Sequence, residues 1–168
     1  MKKLYLLLFT AIITITAAHA QNGWVGYKFD NNKLFVKLPA QPQKYGQNSQ
    51  RASTKDSTVC IVTLIDLKAT TQLDSAALVA LLPTADFAAG LKSSMLGQMA
   101  GFTLGDVKIG KWNGNYSYTI EGSNAARKIK TYTFMVVIGN NLYALNCLVP
   151  DGNNIKDKDN FFASFKFN

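Results

Sequence analysis

The chain has 168 residues, with 18 Lys and Arg against 10 Asp and Glu, one histidine (His19) and one glutamate (Glu121). Residues 21–168 contain no histidine, which excludes from them a Ser-His-Asp or Cys-His set, a histidine-based zinc site and most general acid–base schemes. Two cysteines are too few for a zinc site built from four thiolates.

Met1-Lys2-Lys3 is a positive n-region, residues 4–15 are an apolar run, and Ala18-His19-Ala20 supplies the small-x-small pattern of a signal-peptidase site. Residues 1–20 therefore read as a cleavable export signal, with Gln21 as the mature N-terminus. The run is shorter than the roughly 20 residues a membrane span needs, although an uncleaved anchor is the alternative. No later stretch is long and apolar enough to span, so no transmembrane anchor is expected after cleavage, and the location is periplasmic or secreted. Residues 21–168 then form a single domain, large enough to bury roughly 70% of its unfolded surface. Without Lys2 and Lys3 the balance is 16 to 10, a net charge of +6. In an oxidising compartment Cys60 and Cys147 are a candidate disulfide. The alternative is a pair of buried free thiols packed as small hydrophobes.

Two short aromatic-rich runs, 24–29 and 34–38, flank Asp30-Asn31-Asn32-Lys33 and predict a hairpin. In the second, Leu34, Val36 and Leu38 share one face, with Phe35 and Lys37 on the other; Pro39 and Pro42 end it. The polar stretch 43–57 predicts a long surface loop or a ragged sheet edge. Residues 59–67 are apolar on both alternating faces (Val59, Ile61, Ile65 and Leu67 against Cys60, Val62 and Leu64), the mark of a central strand covered on both sides.

The period then becomes helical. A short helix over 73–82 ends near Pro83, and a longer one carries Phe87, Leu91, Met95 and Met99 as an i, i+4 stripe with Ala88 and Leu96 beside it. Thr84 is placed as its N-cap, Asp86 complements its positive end and Gly101 stops it. The two methionines read as core gap fillers rather than a soft-metal or adaptable ligand face. Beyond it, strands over 102–112 and 116–120 flank Asn113-Gly114, and strands over 130–138 and 142–149 flank Gly139-Asn140-Asn141. After the Pro150-Asp151-Gly152 turn, Ile155, Phe161, Phe162 and Phe165 recur at helix-compatible spacing. Hairpins before and after a helical block specify an α+β fold, with a central antiparallel β-sheet covered by helices on both faces.

Residues 34–42 (Leu-Phe-Val-Lys-Leu-Pro-Ala-Gln-Pro) and the closing 161–166 (Phe-Phe-Ala-Ser-Phe-Lys) resemble the opening and terminal signatures of small exported bacterial domains with a PsbP-like fold. The order of central strand, helical block and late hairpins is similar too. The resemblance implies an α/β/α sandwich over 24–168 and transfers no catalytic or cofactor residue, since fold does not fix function.

Two clusters stand out as a candidate binding surface. Trp112, Tyr116 and Tyr118 bracket the Asn113-Gly114 turn and could form a stacking platform for a sugar or a partner protein; the alternative is an aromatic cluster that stabilises the hairpin or lies under a helix. Arg127, Lys128 and Lys130, with Lys108 and Lys111 on a neighbouring strand, could attract an anionic ligand, a lipid headgroup or an acidic protein; the alternative is a solvated charge run. Asp106 and Glu121 are the one carboxylate pair that adjacent strands could bring together for hydrolysis. The oxygen-rich stretch from Asp151 to Asp159 lacks the spacing of a calcium loop. Export and the absence of an aromatic-basic RNA motif argue against nucleic acid. No catalytic residue, metal or cofactor is assigned. The expectation is an exported, non-catalytic binding or assembly module of the bacterial cell envelope, facing an unknown envelope protein or an anionic or sugar ligand. A small-ligand (sugar or lipid) binder comes second and a carboxylate-dependent hydrolase third.

Overall fold

The structure is a computed structural model that describes residues 23–29 and 33–167. The expected export signal over residues 1–20 and the turn expected over 30–33 fall wholly or largely outside the described residues.

Strand β1 (Val25–Phe29) pairs antiparallel with β2 (Leu34–Leu38) in the register Phe29↔Leu34 to Val25↔Leu38. The short β11 (Lys166–Phe167) pairs along the other edge of β2 and completes a three-stranded sheet. This small sheet is separate from the main one. Alternation explains how it docks: Leu34, Val36 and Leu38 are fully buried, while Lys37 is exposed.

The main sheet is antiparallel and eight-stranded among the described residues. It contains β3 (Gln43–Lys44), β4 (Ser49–Ser53), β5 (Val59–Asp66), β6 (Thr103–Leu104), β7 (Lys108–Trp112), β8 (Asn115–Asn124), β9 (Ile129–Ile138) and β10 (Asn141–Pro150). Its order is β3-β4-β5-β10-β9-β8-β6, with β7 also on β8. The polar stretch 43–57 is the ragged edge anticipated, formed as β3 and β4. The single strand expected over 102–112 is two pieces: β6 pairs with Gly122 and Ser123, β7 with 115–119, and 105–107 step between them. Asn113 and Gly114 both have positive φ (47° and 80°), the geometry of a two-residue primed turn that matches strand twist.

Three helices lie on one face: α1 (Leu67–Thr71), α2 (Ser75–Leu81) and α3 (Ala85–Gln98). Each is capped by the side chain just before it. Asp66, Asp74 and Thr84 accept hydrogen bonds from the backbone N–H groups of Ala69, Ala77 and Phe87. The first of these helices begins where the sequence pattern suggested strand. Leu67, Leu78, Leu82 and Phe87 pack on Tyr118, Ile120, Val137 and Leu142 of the sheet. On the opposite face, α4 (Lys156–Ala163) and the small sheet cover Cys60, Val62, Val136, Leu145 and Cys147 through Phe161, Phe165 and the β2 residues. The arrangement is therefore α+β, an antiparallel sheet with helices on both sides, and two cores separated by that sheet.

Cys60 and Cys147 face each other directly across β5 and β10 in the second core. Their Sγ atoms are 3.5 Å apart and unbonded, so the candidate disulfide is a pair of buried thiols here. The hydrogen bond with Cys147 and then burial push the Cys60 thiol well above its ordinary value. A thiol held neutral in this way is a poor nucleophile.

Candidate functional site

The proposed aromatic platform is split by the sheet. A two-residue turn pairs Trp112 with Asn115 and Lys111 with Tyr116, so Trp112 and Tyr116 point to opposite faces. Trp112 packs edge-on against Phe165, with ring centroids 4.7 Å apart, in the α4 core. Tyr116 carries the Lys111 ammonium 3.1 Å from its ring centroid. Tyr118 is 0% exposed, packs at a tilt against Phe87 with ring centroids 5.4 Å apart, and donates its hydroxyl to the Leu82 carbonyl at 2.7 Å. Burial under the helices, not ligand stacking, accounts for its position.

The basic cluster also divides. Arg127, Lys128 and Lys130 are all exposed around the β8–β9 turn. Lys130 shares its strand face with Tyr132, on the α4 side. Arg127 instead borders the opposite, helical side. Lys108 sits across from Thr119 and is exposed. Asp106 and Glu121 do come together, in a shallow hollow of about 220 Å³ with Lys108. Asp106 is fully exposed and pairs with Lys92 at 3.5 Å. In the 151–159 stretch, Asn153 donates to the Asp56 carbonyl and Asp159 pairs with Lys158 at 2.6 Å. Among the described residues no three His, Cys, Asp or Glu side chains cluster as metal ligands.

A larger concavity than the hollow at Asp106 and Glu121 lies elsewhere, between α3 and the exposed half of the main sheet, with a volume of about 500 Å³. Its floor follows from the strand register. One row across β5, β10 and β9 is Ile61–Asn146–Thr133 and the next is Thr63–Ala144–Met135, with Ile65 and Leu142 beyond. The α3 wall is Leu91, Ser94, Met95 and Gln98, and Met99, Ala100 and Phe102 follow at its end. The two faces of β5 thus differ from the expectation of equal cover: Cys60 and Val62 are buried, whereas Ile61, Thr63 and Ile65 are half-exposed. Met95 and Met99 are likewise half-buried wall residues, Met95 also packing against the helical-side core as expected.

Several polar groups in the floor bond one another. The Asn146 side-chain amide donates to Thr133 Oγ1 at 2.6 Å and to Thr131 Oγ1 at 2.9 Å, and the Ser49 and Thr63 hydroxyls are 2.8 Å apart. What the cleft presents is mainly hydrocarbon with a few polar markers, the character of small-molecule sites. Tyr45 also lines it, with the Arg51 guanidinium 5.1 Å over its ring. Sequence reasoning missed these residues, although β10 carried a signal: Tyr143, Leu145, Cys147 and Val149 are bulky or fully buried, while Ala144 and Asn146 on the alternate face are small or polar.

Tyr118 sets the geometry of this cleft at a distance. Leu82 is the C-cap of α2, and α2 meets α3 at 92°. The Tyr118 hydroxyl therefore fixes the corner from which α3 departs over the sheet. Burial first, and Tyr116 second, push that hydroxyl above the ordinary tyrosine value of about 10. The unfolded chain ionises first, so this contribution to stability is complete below about pH 10 and is lost as pH rises toward the folded value. Cys60 has the same sign. Tyr118→Phe is expected to cost about 1–3 kcal/mol at pH 7, by stranding the Leu82 carbonyl, and to flatten the alkaline decline relative to the parent. Urea melts of both proteins from pH 7 to 11 check this; parallel pH profiles would remove Tyr118 as a titrating contributor.

No protein-family description matches the chain, and no curated protein sequence matches it. Among solved structures, the solution structure of cyanobacterial PsbP from Synechocystis sp. PCC 6803 aligns with a TM-score of 0.56 at 12% identity, covering 87% of this chain and 93% of that one. A crystal structure from Bacteroides thetaiotaomicron aligns at a TM-score of 0.45 and 11% identity over 87% of this chain; the chain spans about half, 48%, of that protein's length. A Pseudomonas aeruginosa protein of unknown function gives 0.45 and 12%, covering 82% of this chain and 88% of its own. The Synechocystis alignment shows a PsbP-like fold, and at this identity it shows the fold alone.

Proposed function

We propose that the chain is an exported, non-catalytic binding module of the bacterial cell envelope that holds a small ligand in the cleft between α3 and the main sheet. The observation that carries this reading is the open apolar floor: Ile61, Ile65 and Ala144 lie in the middle of a large sheet, yet are only half-covered. A central sheet face left partly uncovered loses hydrophobic stabilisation of about 25 cal/mol for each Å² that stays wet. A ligand that fills the cleft recovers it.

Export is supported by the signal pattern of residues 1–20. The non-catalytic part is supported by the absence of histidine from 21–168, by the burial of both thiols and by the engagement of Asp106 with Lys92. The test uses protein recovered from the exported fraction, whose intact mass is expected to begin at Gln21. Thermal melting is followed against sugars, single-chain amphiphiles and short peptides. A ligand present at 100 times its Kd stabilises by about 2.7 kcal/mol, which is a rise of roughly 5–11 °C for a domain of this size. No shift with any class in the panel would overturn the cleft reading.

A further inference from the structure

We propose that the ligand is a single-chain anionic amphiphile, whose apolar tail lies along the cleft floor and whose anionic head meets Arg127 at the mouth. This rests on the cleft being the binding site and adds the class of molecule that it takes.

The tail follows from the lining. Ile61, Ile65, Leu148 and Ala144 supply floor, while Leu91 and Met95 supply an adaptable wall. The hydroxyl and amide groups between them are few and partly engaged with one another, so most hydroxyls of a sugar entering the floor would face hydrocarbon. The volume, about 500 Å³, sits in the lower half of the range for enclosed small-molecule sites and suits one chain rather than two.

The head follows from charge. Among the described residues, Arg127 is the one charged side chain that lines the cleft directly, Arg51 meeting it only through the ring of Tyr45, and no carboxylate lies within ion-pair distance of Arg127. Its position is built rather than incidental, because the turn is held from below. The Arg127 N–H donates to the Oδ1 of buried Asn124 at 2.9 Å, Lys128 N–H to the Ala125 carbonyl at 3.2 Å, and Asp151 N–H to the Lys128 carbonyl at 2.8 Å. Lys128 in the same turn raises the local positive potential. The C-terminal end of α3 also borders the mouth through Gln98 and Met99, but a helix terminus carries only about half a charge. A guanidinium is suited to a planar carboxylate or a phosphate oxygen pair, and its exposure places the head in water while the tail is covered.

The test is calorimetry with decanoate, decanol and decyltrimethylammonium, each below its micellar concentration, on the parent protein and on Arg127→Gln, Arg127→Lys and Ser94→Trp. Ser94 is exposed on α3, so a tryptophan there fills the cleft without disturbing a core. Decanoate is expected to bind roughly tenfold or more tightly than decanol, with the cationic amphiphile weakest. Arg127→Gln should reduce decanoate to the decanol level and leave decanol unchanged, and Arg127→Lys should keep part of the preference. The preference should shrink as salt rises, because the head group is solvent-exposed. Ser94→Trp should abolish binding of every probe. If decanol and decanoate bind equally, or Arg127→Gln behaves as the parent, the anionic class is wrong while the cleft remains a binding site. If no amphiphile binds but another class in the melting panel does, this inference falls and the cleft reading stands. A flat panel removes both.

Discussion

Replacing Phe161 with alanine is expected to lower stability by about 3–5 kcal/mol, the range for deleting a buried phenyl ring from a packed core. Phe161 is 0% exposed in α4 and joins two layers, packing with the β2 residues Leu34, Val36 and Leu38 and with β10 of the main sheet. The end of α4 is also tied to β2 by hydrogen bonds. Ser164 Oγ accepts from the Lys37 N–H at 2.8 Å and donates to the Phe161 carbonyl at 2.7 Å. The small sheet therefore docks through α4, and a cavity at Phe161 loosens both. For a domain of this size the melting temperature should fall by roughly 6–20 °C. Neighbouring Phe162 is half-buried, 5.7 Å from Phe161 by ring centroid, and serves as the control. Its alanine variant should lose no more than about half as much. Urea melts of the two variants decide the matter: equal losses would mean that burial at Phe161 is not what anchors the small sheet.

Most local features were legible from the sequence because their causes are local. The alternation of Leu34, Val36 and Leu38, the Asn113-Gly114 turn, the Thr84 cap and the start of the Phe87 stripe each depend on neighbours a few residues away. The disposition of Trp112 could have been read as well, since a two-residue turn pairs 112 with 115 and puts Trp112 and Tyr116 on opposite faces. What the pattern could not show is where layers fall. The hairpin of β1 and β2 reads the same whether it extends the main sheet or docks on its face. Its fate is decided by contacts with α4, more than a hundred residues later.

The cleft was hidden for a related reason. Two apolar faces on β5 signal that both avoid full exposure, not what covers each. The helical layer is anchored near the β8 side, where Phe87 meets Tyr118 and Leu82 receives its hydroxyl. That choice leaves Ile61, Thr63 and Ile65 under the open side of α3. The candidate surface residues divide along the same line: Tyr118 holds the helices, Trp112 fills the other core, and Arg127 stays at the cleft.

Gly122→Ala is expected to destabilise the protein by about 1–3 kcal/mol, because the added methyl enters occupied space. A Cβ at Gly122 would lie 2.5 Å from Leu104 Cδ2, 2.5 Å from the Thr103 carbonyl oxygen and 3.1 Å from Thr131 Cγ2. The leucine tip can rotate; the backbone carbonyl can retreat only if β6 leaves β8. Leu104 is buried in the core beneath α3, and the Gly105 N–H donates to the Glu121 carbonyl at 2.8 Å, so displacement of β6 breaks both. Valine at this position should cost more than alanine. Gly110→Ala is the matched control on β7: there the nearest atom is the Ser117 hydroxyl at 3.3 Å, which can turn away. That variant should stay within about 0.5–1 kcal/mol of the parent. Hydrogen exchange at the Gly105 amide gives the local reading alongside the melts. It should accelerate in Gly122→Ala and not in Gly110→Ala. Phe102, which lines the cleft, immediately precedes β6, so the same displacement should also weaken ligand binding in the Gly122 variant alone. A Gly122→Ala protein with parental stability and unchanged Gly105 exchange would mean that β6 yields without cost and does not hold that wall.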